Sequence, residues 1–297
     1  MRRGVIALAA AVCMGAVAPI ANATPVPVPA FYVFGSTPRT IQHYAYHAAV
    51  HFARRQPAGT TRVLMLDFGA ARKVDSDTWG TLGFSGTYVS NGEILQALER
   101  ASDGYHDGNS SGRVLISYGN SNWRLSSHGM GSSNTWYAGY YQSLRAKQLS
   151  YYQEAKVYSR EDAAAGSDME PSWESPEVTR QLVNGDTAHG YALYYNFGSA
   201  DGCPWTGSSG TCNNGWHVGD AGYVSYHGLA WGLPEIYYTV NADQWTVVRR
   251  AWDASHSNDL IYAGVTAGGG LSPQAAWNAL AARNPNRVLN ELICFGC

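Results

Sequence analysis

The chain has 297 residues, of which only 14% are charged, and its 20 basic and 22 acidic side chains leave a net charge of -2. That balance, with no basic stripe along the sequence, excludes nucleic acid and an anionic membrane surface as expected partners. The aromatic load is heavy instead, with 10 Trp and 20 Tyr beside 33 Gly, and flat amphipathic rings of this kind suit sugar faces.

The N-terminus has the pattern of an export signal over residues 1–23. Arg2 and Arg3 precede the short apolar run Val5 to Val17, and Ala21-Asn22-Ala23 is a small-x-small cleavage site. Cys13 follows Val12 rather than a small residue, so no lipid anchor is expected. No later segment is apolar for long enough to cross a bilayer. The expected product is a secreted, extracellular monomer spanning residues 24–297, about 270 residues, the size of one α/β barrel.

Strand-like and helix-like segments then alternate. Phe31–Gly35 reads as a strand and Ile41–Arg55 as a helix, followed by the run Val63–Gly69 and the helix Gly92–Ser102. The run Val114–Gly119 precedes a helix over Trp136–Glu154, and Ala163–Glu170 precedes one over Ser175–Gly185. Further runs are Tyr191–Gly198, Tyr223–Tyr226 and Leu233–Tyr238, then a helix over Ala242–Ser255. Leu260–Val265 is the last run, and a helix over Pro273–Ala282 has Ser272 as N-cap and Pro273 in its first turn. Eight β runs with helix-length connections predict a single (β/α)8 barrel. A doubly wound open sheet is the alternative, but no Gly-x-Gly-x-x-Gly follows the first strand.

Four cysteines lie beyond the signal. In an oxidising compartment the simplest pairings are the local ones, Cys203 with Cys212 and Cys294 with Cys297, although three connectivities exist. The terminal Cys-x-x-Cys lacks two further soft ligands for zinc and does not open a helix as a redox pair does. His43, His47 and His51 form one stripe on the first helix, on the outer ring away from the functional face. No metal or cofactor is therefore expected. No Gly-x-Ser-x-Gly elbow is present.

In a barrel, chemistry gathers at the C-terminal ends of the strands. That rule selects Asp67 after strand two, Asn120 and Asn122 after strand three, Asp168 and Glu170 at strand four, Asn196 at strand five and Glu235 on strand seven. Asp168 and Glu170 are two apart and share a face of an extended strand. Two carboxyls crowded in a partly dry site hold a proton near neutral pH, and one can act as a general acid. Pro171-Ser172-Trp173 adds a rigid turn and an aromatic wall beside them, and a Cys203–Cys212 bridge would present Trp205 and Trp216 near the same cleft.

At these residues the sequence resembles barrel glycoside hydrolases. Val114-Leu-Ile-Ser-Tyr-Gly-Asn120 resembles the strand-three Ser-x-Gly-Gly element of chitinase-like enzymes, with Asn120 in place of the last Gly. Ser167-Asp-Met-Glu170 resembles the end of their strand-four Asp-x-x-Asp-x-Asp-x-Glu motif. That resemblance implies Glu170 as the acid and Asp168 as the residue orienting an acetamido group, while Ala163 and Gly166 replace the outer aspartates. Glu170 and Glu235 also match the strand-four and strand-seven carboxylates of retaining glycosidases, except that Met169 stands where those enzymes have Asn. Asp168-Met-Glu-Pro-Ser-Trp173, Tyr195-Asn-Phe-Gly198, Cys212-Asn-Asn-Gly-Trp216 and Leu233-Pro-Glu-Ile-Tyr237 together resemble a group of secreted actinobacterial proteins, mostly uncharacterised, with a glycoside-hydrolase-like TIM barrel.

The expected function is a secreted hydrolase of a polysaccharide. Glu170 is the proton donor, with Asp168, Asp67 or Glu235 as nucleophile or stabiliser, and Asn120, Trp173, Asn196 and Trp216 as substrate contacts. The alternative is a barrel without catalysis that binds cell-wall or environmental carbohydrate through its aromatics.

Overall fold

The alternating runs fold as a nearly closed (β/α)8 barrel in the computed structural model, which describes residues 25–256 and 260–297. The expected export signal over residues 1–23 lies outside the described residues. Barrel strands are β1 (Val28–Tyr32), β2 (Thr61–Lys73), β5 (Arg113–Ser121), β6 (Glu161–Asp168), β7 (Tyr194–Asn196), β8 (Ala230–Gly232), β9 (Tyr262–Ala267) and β10 (Val288–Phe295). All their ladders are parallel. The outer helices are α1 (Pro38–Arg55), α2 (Asn91–Gly108), α3 (Ser132–Ala155), α4 (Pro176–His189), α5 (Val218–Tyr226), α6 (Thr239–Ser255) and α7 (Pro273–Arg283). No helix among the described residues is long and apolar enough to cross a membrane.

Local chemistry sets the helix ends. Thr37 caps α1 with Pro38 in the first turn, and Ser90 and Glu93 form a reciprocal capping box on α2. Ser272 caps α7 through the Ala275 amide, with Pro273 following it as the sequence suggests. Along each strand alternate side chains face inward. Val63 and Met65 of β2 fall with Ile293 and Phe295 of β10 into one buried apolar cluster.

Two of the eight expected strands are corrected. Tyr223–Tyr226 is the end of helix α5, where its aromatic and β-branched residues pack against neighbouring helices and strands rather than pairing in a ladder. Strand six is instead the short β8, and Leu233–Tyr238 is the segment that follows it. Leu260–Val265 belongs to β9, strand seven, and the eighth strand is β10, at the chain's end. Strand two also continues past Asp67 to Lys73 and pairs with an antiparallel hairpin, β3 (Trp79–Leu82) and β4 (Tyr88–Ser90), which the alternation of runs does not predict.

No ladder joins β8 to β9, and the following segment closes the wall there. Leu233 N–H donates to Asn196 O at 2.7 Å and Glu235 N–H to Gly198 O at 3.0 Å. On the other side Ile236 N–H donates to Thr266 O at 3.0 Å and Thr266 N–H to Pro234 O at 2.9 Å. Glu235 thus sits in the stitch between strands five and seven, not on strand seven.

Both local disulfides form. Cys203 and Cys212 have Cα atoms 3.9 Å apart, and Cys294 and Cys297 have theirs 5.6 Å apart.

Candidate active site

Three of the four expected catalytic carboxyls converge at the C-terminal mouth. One oxygen from each of Asp168, Glu170 and Glu235 lies within 4.8 Å of the other two. Asp168 is the last residue of β6, with its side chain buried. Glu170 follows two residues later and is partly exposed. Glu235 reaches the cluster from the stitch after β8 and is 5% exposed. Asp67 lies buried nearby and contributes to the field on Asp168.

Backbone geometry aims each group. At Asp67 the β2–β5 register shifts between Asp67 and Ala70, a bulge of the kind that re-aims a side chain. Asp67 Oδ1 accepts from Gly69 N at 2.9 Å, and Gly69 adopts φ 98°, where a Cβ would also strike Leu82 O. Glu170 is clamped by Asn122. Glu170 N–H donates to Asn122 Oδ1 at 3.0 Å, and Asn122 Nδ2 donates back to Glu170 O at 3.1 Å. A Cβ on Gly198 would fall 2.4 Å from both N and O of Met169, so only glycine lets the loop after β7 lie against the Asp168–Glu170 segment.

Burial raises the proton affinity of all four acids. It pushes Asp67 up to about 7 and Glu170 to about 7, the latter with help from the Asp201 charge. Burial and then the Glu170 charge push Glu235 up to about 8, although the Tyr237 hydroxyl donates to Glu235 Oε1 at 2.5 Å and favours the anion. Asp168 lies well above the carboxylate range, through burial first and then the charges of Glu235 and Glu170. Its Oδ1 is buried with no hydrogen-bond partner among the described residues. No basic side chain is among the strongest influences on these four acids, within the described residues. The trio therefore holds protons in common near neutral pH.

The expected substrate contacts fare differently. Asn120 and Asn196 are buried and used internally: Asn120 accepts from Ser167, whose Oγ also meets the Tyr194 hydroxyl, and Asn196 Nδ2 donates to Ser225 Oγ of α5 at 2.9 Å. Trp216 is fully buried and donates its indole N–H to Glu174 O at 2.7 Å, so it shows no face to a ligand. Trp173 is half-buried and lines, with Arg124, Ser126, Glu174 and Asn214, a pocket of about 530 Å³ beside the turn. Trp205 is 64% exposed on the bridged loop.

Sequence reasoning missed Asn122 as the clamp, Tyr237 as the donor to Glu235, and Asp201. Asp201 accepts from Ser172 and Asn213 at the rim, and Asn214 Nδ2 donates to Pro171 O at 2.9 Å. The Cys203–Cys212 loop is thereby pinned onto the turn after Glu170. Replacing both cysteines by Ser should cost about 2–3 kcal/mol of stability, the scale for so short a loop. Ligand affinity should fall as well, because Asp201 and Asn213 lose their anchor. Thermal melts and titrations of the double variant check this, and unchanged affinity would separate the loop from the site.

His43 and His47 meet edge to face on α1 with ring centroids 4.3 Å apart, but among the described residues the helix stripe does not converge as a metal site. Among the described residues, the one group spaced to hold a cation is Asp168, Glu170 and Glu235 themselves. A cavity of about 610 Å³ opens at the opposite end of the barrel, lined by Val63, Leu115, Tyr195 and Ala263, and none of the site carboxyls lines it. Comparison of the chain with family models, with curated proteins and with solved structures gave no match.

Proposed function

We propose that this protein is a secreted glycoside hydrolase that cleaves a polysaccharide with retention of anomeric configuration. The observation that carries the reading is the trio of crowded, proton-holding carboxyls at the C-terminal mouth, with oxygens within 4.8 Å of one another. Retaining enzymes hold their two carboxyls about 5–5.5 Å apart, whereas inverting ones leave about 6.5–9.5 Å for a water. The spacing here suits direct attack. The export-type N-terminus and the two disulfides support secretion.

Access divides the roles. Glu170, the partly exposed member, can meet both leaving group and water, so it serves as acid and then base. It protonates the glycosidic oxygen as the bond to the anomeric carbon breaks. Glu235, deep in the cleft and hydrogen-bonded by Tyr237, forms the new bond to that carbon when the proton the two glutamates share lies on Glu170. Glu170 then takes a proton from water, which attacks the same carbon and releases Glu235. Asp168, held neutral by its surroundings, offers a hydroxyl donor to the bound sugar.

The test is a screen of the mature protein on polysaccharides, in EDTA and in calcium, with the anomeric configuration of the first product followed by NMR. Turnover in both media with retained configuration is the expected result. A requirement for the cation would reassign the three carboxyls as ligands, and an inverted product would remove Glu235 as nucleophile.

A further inference from the structure

A continuous file of aromatic rings leads away from the carboxyls. Phe197, buried in the barrel, packs against Phe295 with centroids 5.9 Å apart, and Phe295 stacks on Tyr32 at 4.4 Å. Tyr32, at the end of β1, pairs in register with Asp67 of β2, which places it beside the site. Its ring meets Phe84 edge-on at 4.8 Å, Phe84 meets Phe34 at 5.6 Å, and Phe34 meets Tyr44 of α1 at 6.1 Å.

Exposure rises along the file from Phe197 to Phe34. Phe197 is fully buried and Phe295 nearly so, while Phe84 is 43% exposed and Phe34 is 50% exposed. Phe84 stands in the turn between β3 and β4, so the inserted hairpin carries it. Ser85 Oγ donates to Gly35 O at 2.5 Å and fastens that turn to the chain after β1. Leaving two phenylalanines half in water has a hydration cost, and their contiguity with a polar site gives them an occupant.

We infer that Phe34 and Phe84 form the outer subsites of a cleft for a β-1,4-linked polysaccharide of equatorially substituted pyranoses. This rests on the hydrolase reading of the carboxyls and adds the direction and chemical class of the chain. A phenyl ring offers no hydrogen bond, so it selects the sugar face that presents axial C–H groups, and equatorial β-1,4 linkage presents such faces along an extended ribbon. A curved α-linked glucan does not keep that contact from ring to ring.

The test titrates chitohexaose, cellohexaose and xylohexaose, each with its dimer, and maltohexaose as the α-linked control, into the mature protein by calorimetry. Phe34→Ala, Phe84→Ala and Phe84→Tyr are compared with the parent, and near-UV circular dichroism confirms their folds. At least one hexaose should bind, each Ala variant should weaken it about tenfold, and Phe84→Tyr should restore it. The dimer, which need not reach the outer rings, should bind all forms alike. Equal hexaose affinity in parent and Ala variants, no hexaose binding at all, or tighter binding of maltohexaose overturns the inference. Phe84-dependent binding without turnover would leave the platform standing and remove the hydrolase; turnover indifferent to Phe84 would do the reverse.

Discussion

Glu170→Gln should lower turnover of a natural glycan by at least about a hundredfold, the scale expected for a lost general acid. The amide keeps the shape and the backbone clamp from Asn122, which binds main-chain atoms of Glu170 rather than its carboxyl. Only the transferable proton disappears. The alkaline limb of the rate profile should disappear with it, because that limb records deprotonation of the acid, whose carboxyl burial pushes up to about 7. A substrate whose leaving group needs no protonation separates the two glutamates. With an activated aryl glycoside, Glu170→Gln should still form the glycosyl-enzyme, detectable as a mass increase on the intact chain. Glu235→Gln should form none, since the nucleophile itself is gone. If the purified Glu170→Gln protein retains full turnover, the assignment of the acid is wrong.

The Asp168–Glu170 pair is legible in the sequence because its signal is local. The two acids show a period of two at the end of a small-residue run, and a strand end is the right reading. Glu235 is visible as a candidate but not its position, for strand six is only Ala230-Trp231-Gly232, too short to register as a period. A more β-like stretch, Tyr223–Tyr226, competes for its place, and the packing of α5 overrides that propensity. Strand eight is hidden because its first half carries Asn290 and Glu291, and its inward Glu291 pairs with Arg62 only once the barrel has closed. The aromatic file cannot be read from the sequence at all. Phe34, Phe84, Phe197 and Phe295 are scattered over the chain, and topology alone brings them together. Asn120, Asn196 and Trp216 show the converse: a polar or aromatic residue at a strand end can serve the fold as readily as a ligand, and here Asn120 Oδ1, Asn196 Nδ2 and the Trp216 indole N–H bond within the fold.

Thermal stability should fall between pH 5 and pH 8, by at least about 5 °C in Tm. Burial, with like charges added at the mouth, raises Asp67, Asp168, Glu170 and Glu235 in the folded state, and burial also raises Glu161, Asp186 and Glu291 to about 7 each. In the unfolded chain these groups return to ordinary values of 3.8 and 4.5. Between those values and 7 to 8 the folded state holds more protons than the unfolded one, so rising pH favours unfolding. The stabilisation is complete below the unfolded values and is lost once the folded groups have ionised. A tenfold difference in proton affinity between the folded and unfolded chain corresponds to about 1.4 kcal/mol, so even a fraction of the set outweighs ordinary surface pairs. Lowered His51, His189 and His227 act in the opposite sense below their ordinary 6.5, which concentrates the decline between that value and 8. Glu235→Gln removes one of the buried ionisations and should raise Tm at pH 8 while leaving it nearly unchanged at pH 5. The same variant is expected to be inactive, so stability and catalysis move oppositely at this residue. Differential scanning calorimetry of the parent and the Gln variant at the two pH values decides the matter. A Tm that is level or rising from pH 5 to pH 8 in the parent would mean that the carboxyls at the mouth are neutralised by something other than protons.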